Sequence, residues 1–173
     1  MEKTLFTRII NRVLHTMARN LPGSMTVRPF LHRLRGVKIH KNVFIGDDVY
    51  IENEYPEVIE IHENAAITLR TMLMAHQTGT GKLIIGKDVY IGIGCVITCP
   101  PNHTLSIGEG SVIAAHSVIS KSIPPFSFVA SPEAKRIAKV TVPFIKGVTY
   151  DDFIAGLVPI KRNKKDEQNE KLD

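Results

Sequence analysis

Two cysteines are all the chain has, Cys95 and Cys99. That is too few for a disulfide framework, and a lone C-x3-C lacks the second ligand pair of a structural zinc site. Both read as buried thiols in a reducing compartment. Long apolar runs are missing as well. In MEKTLFTRIINRVLHTMARN the apolar residues are broken by Arg8, Arg12, His15 and Arg19, so neither a signal-peptide core nor a segment of membrane-spanning length is expected, and the cytoplasm is the expected location. The formal charge of +5 is modest and lies partly in the tail KRNKK. No basic-aromatic stripe or recognition motif accompanies it, so nucleic acid is not an expected partner. What is present suits a folded domain: 173 residues, 43% hydrophobic and 23% charged, a composition that excludes disorder for most of the chain.

Four segments follow from the pattern. Residues 1–36 hold a helix and linker. Over 3–19, Leu5, Phe6, Ile9, Ile10, Val13, Leu14 and Met17 share one face with Lys3, Arg8, Arg12 and Arg19 mostly opposite, and Leu21-Pro22-Gly23 ends the helix. This helix is expected to cover the open end of whatever follows. A peripheral contact with anionic membrane is the rival use of its two faces. Residues 131–160 form an extension with a short helix around 150–157, and the nearly all-polar 161–173 is expected to be disordered.

Between these, over 37–130, the sequence repeats every six residues. Aliphatic residues start hexads at Ile39, Ile45, Ile51; Ile61, Ile67, Leu73; Ile85, Ile91, Ile97; and Ile107, Ile113, Ile119. The fifth place of many hexads is small or β-branched, as in Val43, Val49, Ala65, Thr71, Val89, Cys95, Ser111 and Ser117. A short strand with one inward aliphatic, then a turn, three times per coil, makes a three-sided solenoid whose rungs pair as parallel strands roughly 4.8 Å apart. A β-sandwich gives no reason to hold a six-residue phase so long. The phase breaks by a four-residue excess at 51–61 and 97–107, and it survives 73–85 if Gly79 stands in for an aliphatic residue. Gly46, Gly86, Gly92 and Gly108 follow the aliphatic position, where a missing Cβ relaxes the backbone near a corner.

These hexads, with VYIGIGCVI, MLMAHQ, YPEVIEIHEN and IGEGSVIAAHSVISKSIPPFSFVASPEAKRI, resemble the hexapeptide-repeat acyltransferases, most closely those that O-acetylate sugars and polysaccharides. The resemblance covers about residues 37–140. It implies an all-β solenoid, a left-handed parallel β-helix, with acetyl-CoA as acyl donor, a small-molecule or oligosaccharide acceptor, and a homotrimer with the active site between chains. The left hand comes from the resemblance, since the general crossover rule gives the opposite one.

Acetyl transfer to a hydroxyl needs a general base, and an imidazole titrating near 6.5 serves at neutral pH. Among His15, His32, His40, His62, His76, His103 and His116, the family's pattern selects His76, in Leu73-Met74-Ala75-His76 ahead of Val89-Tyr90-Ile91-Gly92. Three hexads per coil, with Gly79 counted, put His76, Gly94 and His116 in one corner column, His116 roughly 10 Å from His76. Glu54 falls one rung below and is expected to orient the imidazole. His116 is either a second polar group in the CoA channel or an outward side chain. The resemblance further implies CoA contacts at Tyr90, Ala115, Ser120, Lys121 and Lys135. It implies no metal, and the altered Ala130-Ser131-Pro132-Glu133-Ala134-Lys135 leaves the nucleotide end unsettled. Neither cysteine stands in a catalytic place, which implies direct transfer without an acetyl-enzyme. The competing readings are a non-catalytic scaffold and a zinc-dependent hydratase, the latter lacking its H-x4-H pair here.

Overall fold

The computed structural model describes residues 4–76, 80–131, 138–143, 145 and 147–159. The chain divides into two compact units, Met1–Ser131 and Pro132–Asp173. Unit one opens with helices α1 (Leu5–Asn20) and α2 (Val27–Leu34), followed by a coil of short strands. The first coil carries β1 (Lys38–Ile39), β2 (Phe44–Ile45) and β3 (Tyr50–Ile51), and the second β4 (Ile59–Ile61), β5 (Ala66–Ile67) and β6 (Met72–Met74). The third carries β7 (Lys82–Ile85), β8 (Tyr90–Ile91) and β9 (Val96–Thr98), and the fourth β10 (Thr104–Ile107), β11 (Val112–Ile113) and β12 (Val118–Ile119). A partial fifth ends in β13 (Phe128–Val129).

Every strand pairs in parallel with its counterpart one coil on, giving three sheets: β1-β4-β7-β10, β2-β5-β8-β11-β13 and β3-β6-β9-β12. The pairing sets Ile39, Ile61, Ile85 and Ile107 in one inward column, and Ile45, Ile67, Ile91, Ile113 and Val129 in a second. Ile51, Leu73, Ile97 and Ile119 form the third. The expected parallel β-solenoid is thus the fold of residues 38–129. Its interior is this stack of aliphatic residues, each full burial contributing roughly 1.5–3 kcal/mol. The fifth-place residues named above are all buried.

The tight corners take residues with positive φ: Asn42, Asn64, Asp88 and Gly110 at one, and Asp48, Arg70, Gly94 and His116 at the next. Asn, Asp and Gly adopt this left-handed conformation most readily. The glycines after the aliphatic positions answer a different need from the one expected. A Cβ on Gly92 would lie 2.5 Å from Ala115 N and one on Gly46 2.7 Å from Leu69 N. They are there because the backbone of the following coil comes too close for a side chain.

Among the described residues the repeat breaks at one corner, the passage from the third sheet to the first. The steps Ile51 to Ile61, Leu73 to Ile85 and Ile97 to Ile107 all cross it. Leu73 and Ile85 therefore stand on successive sides of the coil, across one corner; Gly79, counted as a rung in the sequence, lies outside the described residues.

α1 caps the first coil, and does so with its polar face. Its buried residues are Asn11, His15 and Ala18, whereas Leu5, Phe6, Ile9, Ile10, Val13 and Met17 are 41–74% exposed. The reason is the nature of the solenoid's end, which presents unpaired backbone groups. Ser24 and Arg19 carbonyls accept from Ile45 and Asp48 N–H at 2.8 and 3.0 Å. Arg28 donates to Ile45 O, Arg35 to Ile51 O and Glu52 O, and Asn11 to Asn53 O. Thr4 caps the start of α1 by accepting from Thr7 N, and the helix stops before Leu21-Pro22-Gly23 as anticipated.

Unit two holds β14 (Ala138–Val140) paired antiparallel with β15 (Leu157–Pro159), and between them α3 (Tyr150–Ala155) with Thr149 as its N-cap. The tail 161–173 lies outside the described residues.

Candidate active site

His76 stands at the interrupted corner, two residues beyond β6. The loop it opens is closed at its base: Gly81 N–H donates to Ala75 O at 2.7 Å, and His76 and Thr80 form an antiparallel bridge. The imidazole is half-buried, with the Tyr55 ring edge-on at 4.7 Å between centroids. Tyr55 comes from the loop one coil below, which a 3-10 turn at Pro56–Val58 shapes.

Two acids of that lower loop bear on the site. Glu54 lies one rung below His76, as expected, and its carboxylate meets Arg8 Nε of α1 at 3.2 Å. Glu52, which the sequence reading did not select, is buried. Its Oε1 accepts from Glu54 N at 2.9 Å and its Oε2 from Ala75 N at 3.2 Å, so it holds the backbone on both sides of the Tyr55–His76 pair. A Glu directly after an inward hexad residue, in Ile51-Glu52-Asn53, is the one signal that could have drawn attention to it.

The column through His76 continues with Pro100 and Ser122, each three residues past its inward aliphatic. Ser120 and Lys121 therefore share the His76 corner two coils on, where they line a concavity with Pro100, His103, Thr104, Leu105 and Ser122. His103 Nδ1 lies 2.7 Å from Pro101 O, a bond within its own loop.

His116 does not join this column. It follows Ile113 of the second sheet and stacks on Gly94, at the corner that also carries Asp48 and Arg70. The ring fills the room Gly94 leaves: a Cβ on Gly94 would lie 2.7 Å from His116 Nδ1. Counting Gly79 as a rung advances the phase by one side, which is what sets His116 over His76 in the sequence. Ala115 belongs to that second corner too, and Tyr90 points outward from the second sheet, 47% exposed between Ala66 and Val112. In a three-sided coil the second sheet faces away from the His76 corner. Tyr90 and Ala115 therefore do not meet His76 within one chain, and Lys135 lies outside the described residues.

Both cysteines are buried and meet backbone carbonyls. Cys95 is buried, donates to Ala114 O at 3.1 Å, and its thiol is pushed up by burial. Cys99 Sγ lies 3.3–3.4 Å from the carbonyls of Lys82, Pro100 and His103 and so pins the loop after β9.

His62 has a partner that its sequence did not reveal. It stacks on His40 one coil below, with rings 4.6 Å apart. Glu60 Oε1 lies 3.3 Å from His62 Nε2, and Glu60 Oε2 lies 3.1 Å from Lys82 Nζ, a contact that holds the Glu60 carboxyl below its usual range. Among the described residues, His40, Glu60 and His62 are the group whose ligand atoms lie close enough to hold a metal ion. His76 is not part of it.

No family model matches the chain. It is 32% identical over 98 residues to the putative acetyltransferase YvoF of Bacillus subtilis (strain 168), an alignment covering 54% of this chain and 55% of that protein. It is 32% identical over 111 residues to the serine acetyltransferase of Buchnera aphidicola subsp. Schizaphis graminum, covering 60% and 41%. The chain thus spans about half the length of these curated relatives. Among solved structures, a galactoside acetyltransferase in complex with coenzyme A superposes with a TM-score of 0.48 at 21% identity, covering 73% of this chain and 76% of that one.

Proposed function

We propose that the protein is an acetyl-CoA-dependent O-acetyltransferase that acts on a hydroxyl of a sugar or polysaccharide unit. The observation that carries this reading is His76 itself: one half-buried imidazole at the corner where, among the described residues, the repeat opens into loops, beside an aromatic ring and above a buried carboxylate that fixes its backbone. Sequence relatives named as acetyltransferases support the reaction class. The sugar acceptor is supported by the resemblance through YPEVIEIHEN and by the Tyr55 ring, whose flat apolar surface and phenol suit a ligand with both C–H faces and hydroxyls.

In this mechanism the acceptor oxygen attacks the thioester carbonyl as His76 takes its proton, and the C–S bond breaks as the tetrahedral intermediate collapses. The imidazolium then returns the proton to the departing CoA thiolate. No acetyl-enzyme forms, in keeping with two thiols engaged by backbone carbonyls. A homotrimer completes the site across a chain boundary.

The test is CoA release from acetyl-CoA with sugar nucleotides, oligosaccharides and hydroxylated antibiotics as acceptors. His76→Ala is expected to lower kcat by roughly 10²–10⁴ while CoA binding, followed by calorimetry, stays unchanged. Near-normal turnover in His76→Ala, with loss in His116→Ala, would overturn the assignment.

A further inference from the structure

We propose that the outward face of α1 and α2 docks the protein on a membrane surface containing anionic lipid, with α1 lying flat in the headgroup layer. The inference is independent of the reaction proposed above. The end of the solenoid consumes the polar stripe of α1, Asn11 and His15, through hydrogen bonds to Asn53, so the apolar stripe is left with no role in the cap. Leu5 and Phe6 are 74% and 72% exposed, and α2 adds Phe30 and Leu34 at 56% and 57%. The two stripes are continuous, because Leu34 lines one groove with Ile10 and Leu14. Exposed apolar patches of this extent mark a docking surface.

Charge selects the occupant. From Lys3 to Gly46 the sequence contains no Asp or Glu. At 100° per residue, Arg8, Arg12 and Arg19 fall together on one flank of the α1 apolar arc; Arg8 pairs with Glu54 and Arg19 with Asp48, while Arg12 and Arg33 are exposed and are the cations turned toward solvent beside the stripe. An apolar stripe bordered by arginines is the form that lies in a bilayer interface, with the apolar side roughly 5–10 Å deep. A second copy fits worse: it would bring the exposed Arg12 and Arg33 twice into one interface, with no acid on either helix to meet them. Among the described residues no helix is long and apolar enough to cross a membrane, so the contact is with the surface.

Flotation of the full chain decides, with phosphatidylcholine vesicles compared against vesicles of phosphatidylcholine and phosphatidylglycerol. The full chain is expected to float with the mixed vesicles, about tenfold more weakly with the neutral ones, and to be released by salt. The doubly substituted Phe6→Ser/Ile9→Ser and the single Arg12→Glu change exposed side chains, so their melting temperatures should match wild type while binding falls by about tenfold or more. A full chain that stays at the bottom with anionic vesicles overturns the proposal, as do variants that float equally well. A soluble oligomer that Phe6→Ser/Ile9→Ser dissolves, without vesicle binding by wild type, would assign the face to a second copy.

Discussion

Glu52 is a buried acid whose two oxygens each take a backbone N–H, one on the loop carrying Tyr55 and one on the strand end carrying His76. Glutamine in its place keeps the shape but offers an acceptor to only one of the two donors, leaving the other against an amide NH₂. Glu52→Gln is expected to lower kcat by about 10- to 100-fold through misplacement of His76, with CoA affinity unchanged and stability reduced by roughly 1–3 kcal/mol. Equal losses in kcat and in CoA affinity would mean a general loosening of the coil instead. At the same scale, replacing both cysteines by alanine in a protein that still folds should leave transfer largely intact. A folded but inactive double variant would overturn direct transfer. The position of His76, three residues past an inward aliphatic at the end of β6, was legible because that spacing is local. Glu52 was not, because its burial depends on the covering helices: Arg35, which follows α2, reaches the Glu52 carbonyl at 2.7 Å.

The two helices show what an amphipathic pattern does and does not say. It separates two faces, and the usual expectation turns the apolar one inward; here the surface to be covered is a row of backbone N–H and C=O groups, so the polar face wins. The cap holds two buried histidines. Arg35 Nη1 donates to His32 Nδ1 at 2.8 Å, and His15 Nδ1 pairs with Asn53 Oδ1 at 3.1 Å. Burial, then the Arg35 cation, hold His15 down to about 4 and His32 down to about 2. Unfolded histidines titrate near 6.5. Below that pH the unfolded chain binds more protons than the folded one, so stability falls as pH falls. The contribution is complete above about pH 7 and declines by roughly 1.4 kcal/mol per pH unit per histidine, ending for His15 near pH 4 and continuing for His32 toward 2. The melting temperature of the full chain should therefore drop steeply between about pH 6.5 and 4.5. In His15→Asn/His32→Asn, whose amides can stand in for the imidazole Nδ1 atoms, the dependence should flatten. An unchanged slope in that variant would place the acid sensitivity elsewhere.

At the scale of the whole molecule, the hexads named all three inward columns, because a solenoid writes each side of each coil into the sequence as a separate residue. What they could not settle is the gap from Leu73 to Ile85, which fits either two sides or one side with a loop. Strand pairing decides for the loop, and the decision moves Tyr90 and Ala115 off the His76 corner. If both Tyr90 and His76 serve acetyl transfer, they can do so only where the second sheet of one chain meets the His76 corner of another, which is the arrangement a cyclic trimer repeats at each interface. Light scattering should then give three times the 19.2 kDa chain mass. The sharper test mixes two defective chains, His76→Ala and Tyr90→Asp, the second altering a side chain that is 47% exposed and so tolerable to the fold. Each homotrimer should be nearly inactive. Random reassortment pairs an intact His76 corner with an intact Tyr90 face at about a quarter of the interfaces, and activity should return to about that fraction of wild type. A site complete within one chain predicts no recovery on mixing, and a fully active monomer would remove the reason for a trimer altogether.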